Sequence, residues 1–381
     1  MDFELNEEQR LVRDMVRDFA EKEIAPSAAA VDKAAEFPAE NIRKMADLGL
    51  MGLPYPEEYG GGGGDYSSYA IAVEEIARAC GSTALIYAAH VSLGCGPIYN
   101  FGTEQQRQTW LPRLCSGEGL GAFGLTEPEA GSDAGSTRTT AVRDGDHYVL
   151  NGSKMWITSG AIADVVTCTA KTDPGAGTGG ISCFLVPGGT PGFVPGKNEP
   201  KMGLKGSITS ALSLENCRLP ADHLLGEEGE GFKQMLITLD AGRISIGAMA
   251  LGLAQAAFEE ATRYSKERVQ FGEPIAKFQA IQWMIADMAT EIDAARLMIY
   301  RAAAMKDAGV RFTKQAAMAK LFASEVAERA AFKAIQIHGG YGYSQEYPVE
   351  RIYRDQRLCT IGEGTSEIQR LVIARQVLGK L

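Results

Sequence analysis

Three stretches of this sequence combine glycine, hydroxyl and carboxylate groups in a way that ordinary connecting loops do not. The first runs Phe123-Gly-Leu-Thr-Glu-Pro-Glu-Ala-Gly-Ser-Asp133. The second, Asn151-Gly-Ser-Lys-Met-Trp-Ile-Thr158, reads as a strand. Its Trp156 and Thr158 are two residues apart, a spacing that puts an indole and a hydroxyl on one face of a regular strand. The third, Cys359-Thr-Ile-Gly-Glu-Gly-Thr-Ser-Glu-Ile-Gln-Arg370, sets Glu363 between two glycines just before a final helix. A carboxylate in such a loop can approach a ligand closely. The same residue types also fit blander roles: a carboxylate favoured by the dipole of the last helix, and a tryptophan that simply fills a core.

Other chemistries lack their residues. The seven cysteines are scattered with no CxxC, the four histidines are dispersed, and no HExxH occurs, so disulfide frameworks and metal centres find no support. There is no GxSxG elbow and no GxxxxGK[ST] loop. Gly175-Ala-Gly-Thr-Gly-Gly180 matches GxGxxG, but a Thr-Asp-Pro turn precedes it and a strand pattern follows. A dinucleotide site needs a strand before and a helix after, so this segment is read as a loop between strands.

The 381 residues are 45% hydrophobic and 23% charged, the balance of a globular chain with a large core. Thirty-eight Lys+Arg against 48 Asp+Glu give a net charge of −10, which argues against nucleic-acid binding. The longest nearly apolar stretch, Ile244 to Ala254, falls short of the roughly 20 residues of a membrane span, so no membrane insertion is expected. The acidic start Met1-Asp-Phe-Glu4 resembles neither a secretion signal nor a transit peptide. This suggests a cytoplasmic protein, or a mitochondrial matrix protein if a transit peptide has been removed.

The elements that must position these groups fall into three textures, giving an α+β fold. Residues 1–118 read as an N-terminal helical domain. Leu5, Val12, Met15, Val16 and Phe19 repeat at helical spacing behind an Asn6 cap with Gln9 three residues on. Further helices are expected over 37–48, 66–79, 83–101 and 104–115. The glycine run at 60–64 marks a loop. Residues 119–229 read as a middle antiparallel β-barrel or sandwich, with strands near 138–142, 147–150, 164–170, 181–186 and 210–214. Asp144-Gly-Asp146 and Asn151-Gly152 read as turns between them. Residues 230–381 read as a C-terminal bundle of long helices, four-helix-bundle-like, broken at Gly339-Gly340-Tyr341-Gly342.

Six motifs in register resemble the acyl-CoA dehydrogenases from end to end. They are Glu-Glu-Tyr-Gly-Gly (57–61), Thr-Glu-Pro-x-Ala-Gly-Ser-Asp (126–133), Leu-Asn-Gly-x-Lys-x-Trp-Ile-Thr (150–158), Arg-x-Gln-Phe-Gly (268–272), Gln-Ile-His-Gly-Gly-Tyr-Gly-Tyr (336–343) and Glu-Gly-Thr-Ser-Glu-Ile-Gln-Arg (363–370). Thr-Leu-Asp-Ala-Gly-Arg-Ile (238–244) is similar to the short-chain (butyryl-CoA) and short branched-chain branch.

The resemblance implies a homotetrameric flavoprotein with noncovalent FAD. It implies α,β-dehydrogenation of an acyl-CoA to the trans-2-enoyl-CoA, in fatty acid β-oxidation or branched-chain amino acid catabolism, with electrons passed to an electron-transferring flavoprotein. Glu363 would abstract the α-proton while flavin N5 accepts the β-hydride. The base residue's own backbone N–H and the flavin ribityl chain would polarise the thioester carbonyl. Some members carry the base on a helix, just before the arginine that aligns with Arg243. Here Gly242 stands there, leaving Glu363.

By the same resemblance, Phe123, Leu125, Thr126, Gly131 and Ser132 lie against the flavin, and Trp156, Ile157 and Thr158 flank its ring. Arg268, Gln270, Phe271 and Gln279 reach the FAD of a neighbouring subunit, and Gln336, Gly339 and Gly340 its adenosine part. Thr365 and Glu367 line the cofactor. Ser132, Asp240, Arg243 and Gly364 contact substrate; an ion-pair role for Arg243 stays open. His338 is read as packed, without chemistry. No arginine occurs from Thr83 to Phe101, where glutaryl-CoA members carry one, so butyryl, isobutyryl and 2-methylbutyryl thioesters remain. An oxidase-type relative that reduces O₂ and a non-catalytic assembly homologue are the alternatives.

Overall fold

The computed structural model describes residues 4–379. Its first part is helical: α1 (Glu7–Phe19), α2 (Ala28–Ala34), α3 (Ala39–Asp47), α4 (Tyr66–Ala79), α5 (Gly81–Ala89), α6 (Gly96–Phe101) and α7 (Glu104–Cys115). The expected start of α1 is present as a full capping box: Asn6 Oδ1 accepts from the Gln9 N–H, and the Asn6 N–H donates to Gln9 Oε1. The helix expected over 83–101 is three pieces, because a π-helical turn, His90–Cys95, separates α5 from α6. Gly94 in that turn lies against the Gly121 backbone, so the chain widens where a strand crosses it closely.

The middle part forms one sheet of eight strands: β1 (Gly121–Gly124), β2 (Thr140–Asp144), β3 (His147–Thr158), β4 (Val165–Lys171), β5 (Ile181–Pro187), β6 (Phe193–Asn198), β7 (Thr209–Pro220) and β8 (Leu224–Leu225). Its order is β6-β7-β3-β2-β4-β5-β8, with β1 paired to β4. The expectation of an antiparallel barrel is corrected in two respects. The path ends at β6 and β8, so the sheet is not closed, and β4 pairs in parallel with β1 and β2. Asn151-Gly152 is not a turn either; it lies inside β3 at a register shift. Gly152 has φ 149, and a Cβ there would meet Thr139 Oγ1 at 2.5 Å, so what reads as a turn in sequence is a bulge packed closely on the segment leading into the paired strand β2. The segment 174–180 is a short helical turn joining β4 to β5, as its flanks indicated.

The last part holds α8 (Gly231–Glu267), a small hairpin of β9 (Val269–Gln270) and β10 (Glu273–Pro274), then α9 (Gln279–Asp307), α10 (Thr313–His338), α11 (Val349–Gln356) and α12 (Ser366–Leu378). One continuous apolar core runs from Val16 through Ile76, Ile86 and Ile244 to Ile299 and Cys359, so the first and last parts pack as one helical body. The buried Glu74 of α4 ties them: Arg296 of α9 donates to it at 2.9 Å and Tyr300 Oη at 2.7 Å. The sheet has its own core around Leu150, Val166, Phe184 and Leu212.

Helix α8 carries the apolar stretch Ile244 to Ala254. By length and composition it contains an 18-residue window apolar enough to cross a membrane. Yet 78% of that window is buried inside the fold, as befits the central helix of a globular core. All seven cysteines are free and buried, and no metal-ligating cluster occurs among the described residues.

Candidate active site

Glu363 sits in the turn before α12. It has φ 53 and Gly364 has φ 92, two successive left-handed residues that reverse the chain sharply. For a glutamate this conformation costs on the order of 1–3 kcal/mol and persists only where the surroundings fix it. Three side chains do so. Lys320 Nζ of α10 donates to the Gly364 carbonyl at 2.7 Å. Gln369 Nε2 of α12 donates to the same carbonyl at 2.9 Å and to the Glu363 carbonyl at 3.2 Å. Thr365 caps α12, its hydroxyl accepting from the Ile368 N–H.

The turn throws the Glu363 side chain onto α8. Its Oε2 is buried with no hydrogen-bond partner, although part of the residue reaches the surface. A Cβ on Gly242 would stand 2.1 Å from that oxygen and 3.1 Å from Leu93 Cδ2 of the π-helical turn. Tyr66 Oη donates to the Ala241 carbonyl at 3.0 Å, closing the same region. Burial pushes the Glu363 carboxyl up to about 7, against the downward pull of Lys320 and Arg243.

Asp240 and Arg243 pair with each other one turn apart on α8. Arg243 Nη1 donates to Asp240 Oδ1 at 2.5 Å, and Thr313 Oγ1 donates to Asp240 Oδ2 at 2.5 Å. The Arg243 side chain is 4% exposed, and its Nε is buried without a partner. The ion-pair role left open for Arg243 is therefore present.

The 123–133 segment is fastened to β3. The Met155 N–H donates to the Thr126 carbonyl at 2.8 Å, and Lys154 Nζ to the Leu125 carbonyl at 3.3 Å. Beneath them Lys154 and Glu127 form a buried ion pair at 2.7 Å. Burial pushes Glu127 up, but the Lys154 ammonium and hydrogen bonds from Thr137 and Thr139 outweigh it and hold the carboxyl at about 2. Phe123 lies in β1, and Gly131 and Ser132 are exposed.

The shared face expected of Trp156 and Thr158 meets a complication. β3 shifts register between Lys154 and Ile157, and Trp156 has φ 62, so regular alternation is interrupted there. The bulge leaves the indole 55% exposed, Thr158 half-buried and the Ile157 side chain inside the sheet core.

A second group gathers elsewhere. Arg268, Gln270, Gly339 and Gly340 line a cavity of about 590 Å³ between the α8–α9 connection and the end of α10, together with Tyr264 and Tyr341. Glu363 is not among its walls. Arg268 lies over the Tyr341 ring at 5.4 Å and makes no ion pair among the described residues. His338 is packed as expected: its ring stacks on Tyr264 at 4.1 Å, and Nδ1 lies 2.8 Å from the Ala334 carbonyl. Phe271 is 94% exposed, and Gln279, Gln336 and Glu367 also face outward.

Family models match the chain in three consecutive blocks. The N-terminal domain of acyl-CoA dehydrogenase matches residues 6–118, the middle domain 122–217 and the C-terminal domain 229–378. The chain belongs to the acyl-CoA dehydrogenases. This acyl-CoA dehydrogenase is 59% identical over 379 residues to the protein named Probable acyl-CoA dehydrogenase YngJ of Bacillus subtilis, covering 99% of this chain and 100% of that one. It is 51% identical over 377 residues to the short-chain specific acyl-CoA dehydrogenase of Clostridium acetobutylicum, covering 99% and 100%. A chain in the solved structure described as the electron transferring flavoprotein of Acidaminococcus fermentans superposes with a TM-score of 0.98 at 49% identity, covering 100% of both chains.

This enzyme is an oxidoreductase with FAD as its cofactor. The residues present fit that group. Arg268 is a cation without an acidic partner, suited to a pyrophosphate, and Gly339 and Gly340 have nothing within 4 Å of a notional Cβ, which leaves open backbone on the cavity wall.

Four buried residues around these sites escaped the sequence reading. Glu127, Lys154 and Gln369 lie inside the quoted motifs but were given no role. Lys320 lies in none, yet it recurs at helical spacing with the buried Ala316, Ala319, Ala323 and Ala327, and a lysine in that row is itself a signal.

Proposed function

We propose that this acyl-CoA dehydrogenase oxidises a short-chain or short branched-chain acyl-CoA to the trans-2-enoyl-CoA, with Glu363 as the base. The observation that carries the reading is the Glu363 carboxyl, whose Oε2 is buried, unpartnered and pressed against Gly242. A carboxylate in that condition is a stronger base than one in water, and near pH 7 both of its protonation states are accessible.

A C–C bond beside a thioester is inert until the α-proton can leave. Glu363 takes that proton, and its own backbone N–H is the donor assigned to the thioester carbonyl, where negative charge develops. Leu93 and Tyr66 border the same stretch of α8, and a bound thioester beside them would complete the exclusion of water from the carboxyl. FAD supplies the acceptor for the β-hydrogen and its two electrons. Leu125, Thr126, Trp156 and Thr158 hold the ring, while Arg268, Gln270, Phe271 and Gln279 hold the cofactor of a neighbouring subunit in a homotetramer. The exposed Phe271 supports that assembly. The short-chain reading is supported by the Clostridium relative, and an electron-transferring flavoprotein as the acceptor by the Acidaminococcus structure.

The test is an anaerobic spectral titration of the purified yellow protein with butyryl-CoA, then isobutyryl-, 2-methylbutyryl- and octanoyl-CoA. Bleaching of the visible flavin band by the short thioesters is expected. Bleaching by octanoyl-CoA alone overturns the short-chain assignment, and a band that no thioester bleaches overturns dehydrogenation.

A further inference from the structure

Lys320 is fully buried on α10, in a row of buried alanines. An ammonium in such a place normally brings a carboxylate into contact, because an unpaired charge in a low-dielectric interior is costly. No carboxylate lies within ion-pair distance of Lys320 Nζ among the described residues; its hydrogen bond goes to the Gly364 carbonyl at 2.7 Å. The ionisable groups that face it are Cys359 before the turn, Glu363 in the turn, Glu367 on α12 and Arg243 on α8. Arg243 is already committed to Asp240. Gln369 donates to the same Gly364 carbonyl, so a neutral anchor for the turn exists without the lysine. What Gln369 cannot supply is charge.

We propose that Lys320 is a positioning residue for the reaction: its ammonium pins the carbonyl after Glu363, which fixes where the carboxyl sits, and, with Arg243 tied to Asp240, it supplies the free positive charge that keeps this carboxyl ionisable. The proposal rests on the reading of Glu363 as the base. It explains why a lysine, rather than a second amide, occupies a fully buried place beside the turn. Burial lowers Lys320 only to about 8, so the ammonium persists at neutral pH.

The holoenzyme variants K320Q, K320M and Q369L test this, with E363Q as a separate control. The measurement is kcat/KM for butyryl-CoA against pH, together with a pH titration of the carboxylate infrared band that E363Q abolishes. Glu363 acts deprotonated, so activity is lost as pH falls through its pKa. Removing a nearby positive charge raises that pKa. In K320Q and K320M the acid limb and the infrared titration both move to higher pH by about one unit. Q369L lowers the plateau and leaves the limb where it was. A limb at the wild-type position in folded K320Q or K320M overturns the proposal. If neither variant folds, the wild-type infrared titration decides. A midpoint near pH 8–9, the range of a buried carboxyl without an effective cation, overturns the charge role, and one near neutrality upholds it, Lys320 being the larger influence of the two cations, ahead of Arg243, that lower this carboxyl. Near-normal turnover in E363Q removes the base reading and this proposal with it. An inactive E363Q with an unmoved limb in the lysine variants removes the role of Lys320 alone.

Discussion

A Cβ on Gly242 would lie 2.1 Å from Glu363 Oε2. The two positions are 121 residues apart in sequence, yet the side chain of one occupies the space that the other's would need. Gly242 sits inside α8, where glycine is intrinsically unfavourable by roughly 0.5–1 kcal/mol relative to alanine. Its presence there makes room for the carboxyl.

Gly242→Ala is therefore expected to separate stability from activity. The alanine favours the helix, and the clashing atom is the end of a flexible side chain, so thermal unfolding stays level or rises. The displaced carboxyl cannot reach the substrate as before, and turnover falls about 100-fold or more, in line with the loss of a positioned base. Calorimetry and steady-state kinetics on the same preparation check both halves. A variant with normal turnover would show that the contact does not matter.

A second expectation concerns pH and stability. Burial raises two carboxyls to about 7: Glu363, and Asp355, whose Oδ1 accepts from the Leu204 N–H at 2.5 Å. Both fold preferentially in the protonated form. Their contribution is complete below the ordinary carboxylate range and is lost as pH rises through about 7. A fully raised carboxyl gives a slope of about 1.4 kcal/mol per pH unit within that window. Asp355→Asn removes one of the two. Urea unfolding of the apoprotein at several pH values between about 4 and 7 should show a shallower decline in the variant; equal slopes would contradict the assignment.

The Lys154–Glu127 pair offers a third test. Lys154→Met leaves a buried carboxylate without its cation, and such breaks cost about 3–5 kcal/mol. Leu125 and Thr126 lose part of their anchorage, so FAD retention on gel filtration should fall as well. The double variant Lys154→Met/Glu127→Gln should recover part of the stability, since no unpaired charge remains. A double variant less stable than Lys154→Met would refute this account of the pair.

Much of the architecture is legible where local signals and burial agree. The Asn6–Gln9 capping box, the helices 66–79 and 104–115 and the strand from Ile181 follow from caps and periodicity that tertiary structure leaves alone. The failures lie where one strand meets another. Asn151-Gly152 has the composition of a turn, but the nearness of Thr139, which no local pattern encodes, makes it a bulge in a long strand. The open path of the sheet depends on which strands meet, and short pieces such as Leu224–Leu225 carry too little pattern to reveal it. At the site, a carboxylate between glycines is visible in sequence. Its pairing with Gly242 and Lys320 is not, because both partners arrive from helices distant in the chain.

The single core shared by the two helical parts means that neither part can bury its apolar faces without the other. During synthesis α1–α7 emerge first, with apolar faces whose partners, α8 and α9, are not yet made. The sheet, whose core draws on residues between Ala122 and Leu219, can close while they wait. The helical body needs both parts before its core can close, and the turn carrying Glu363 lies in the final stretch to be released. The proposed base and the Gln369 that holds its turn thus arrive together, in the last part of the chain to be made.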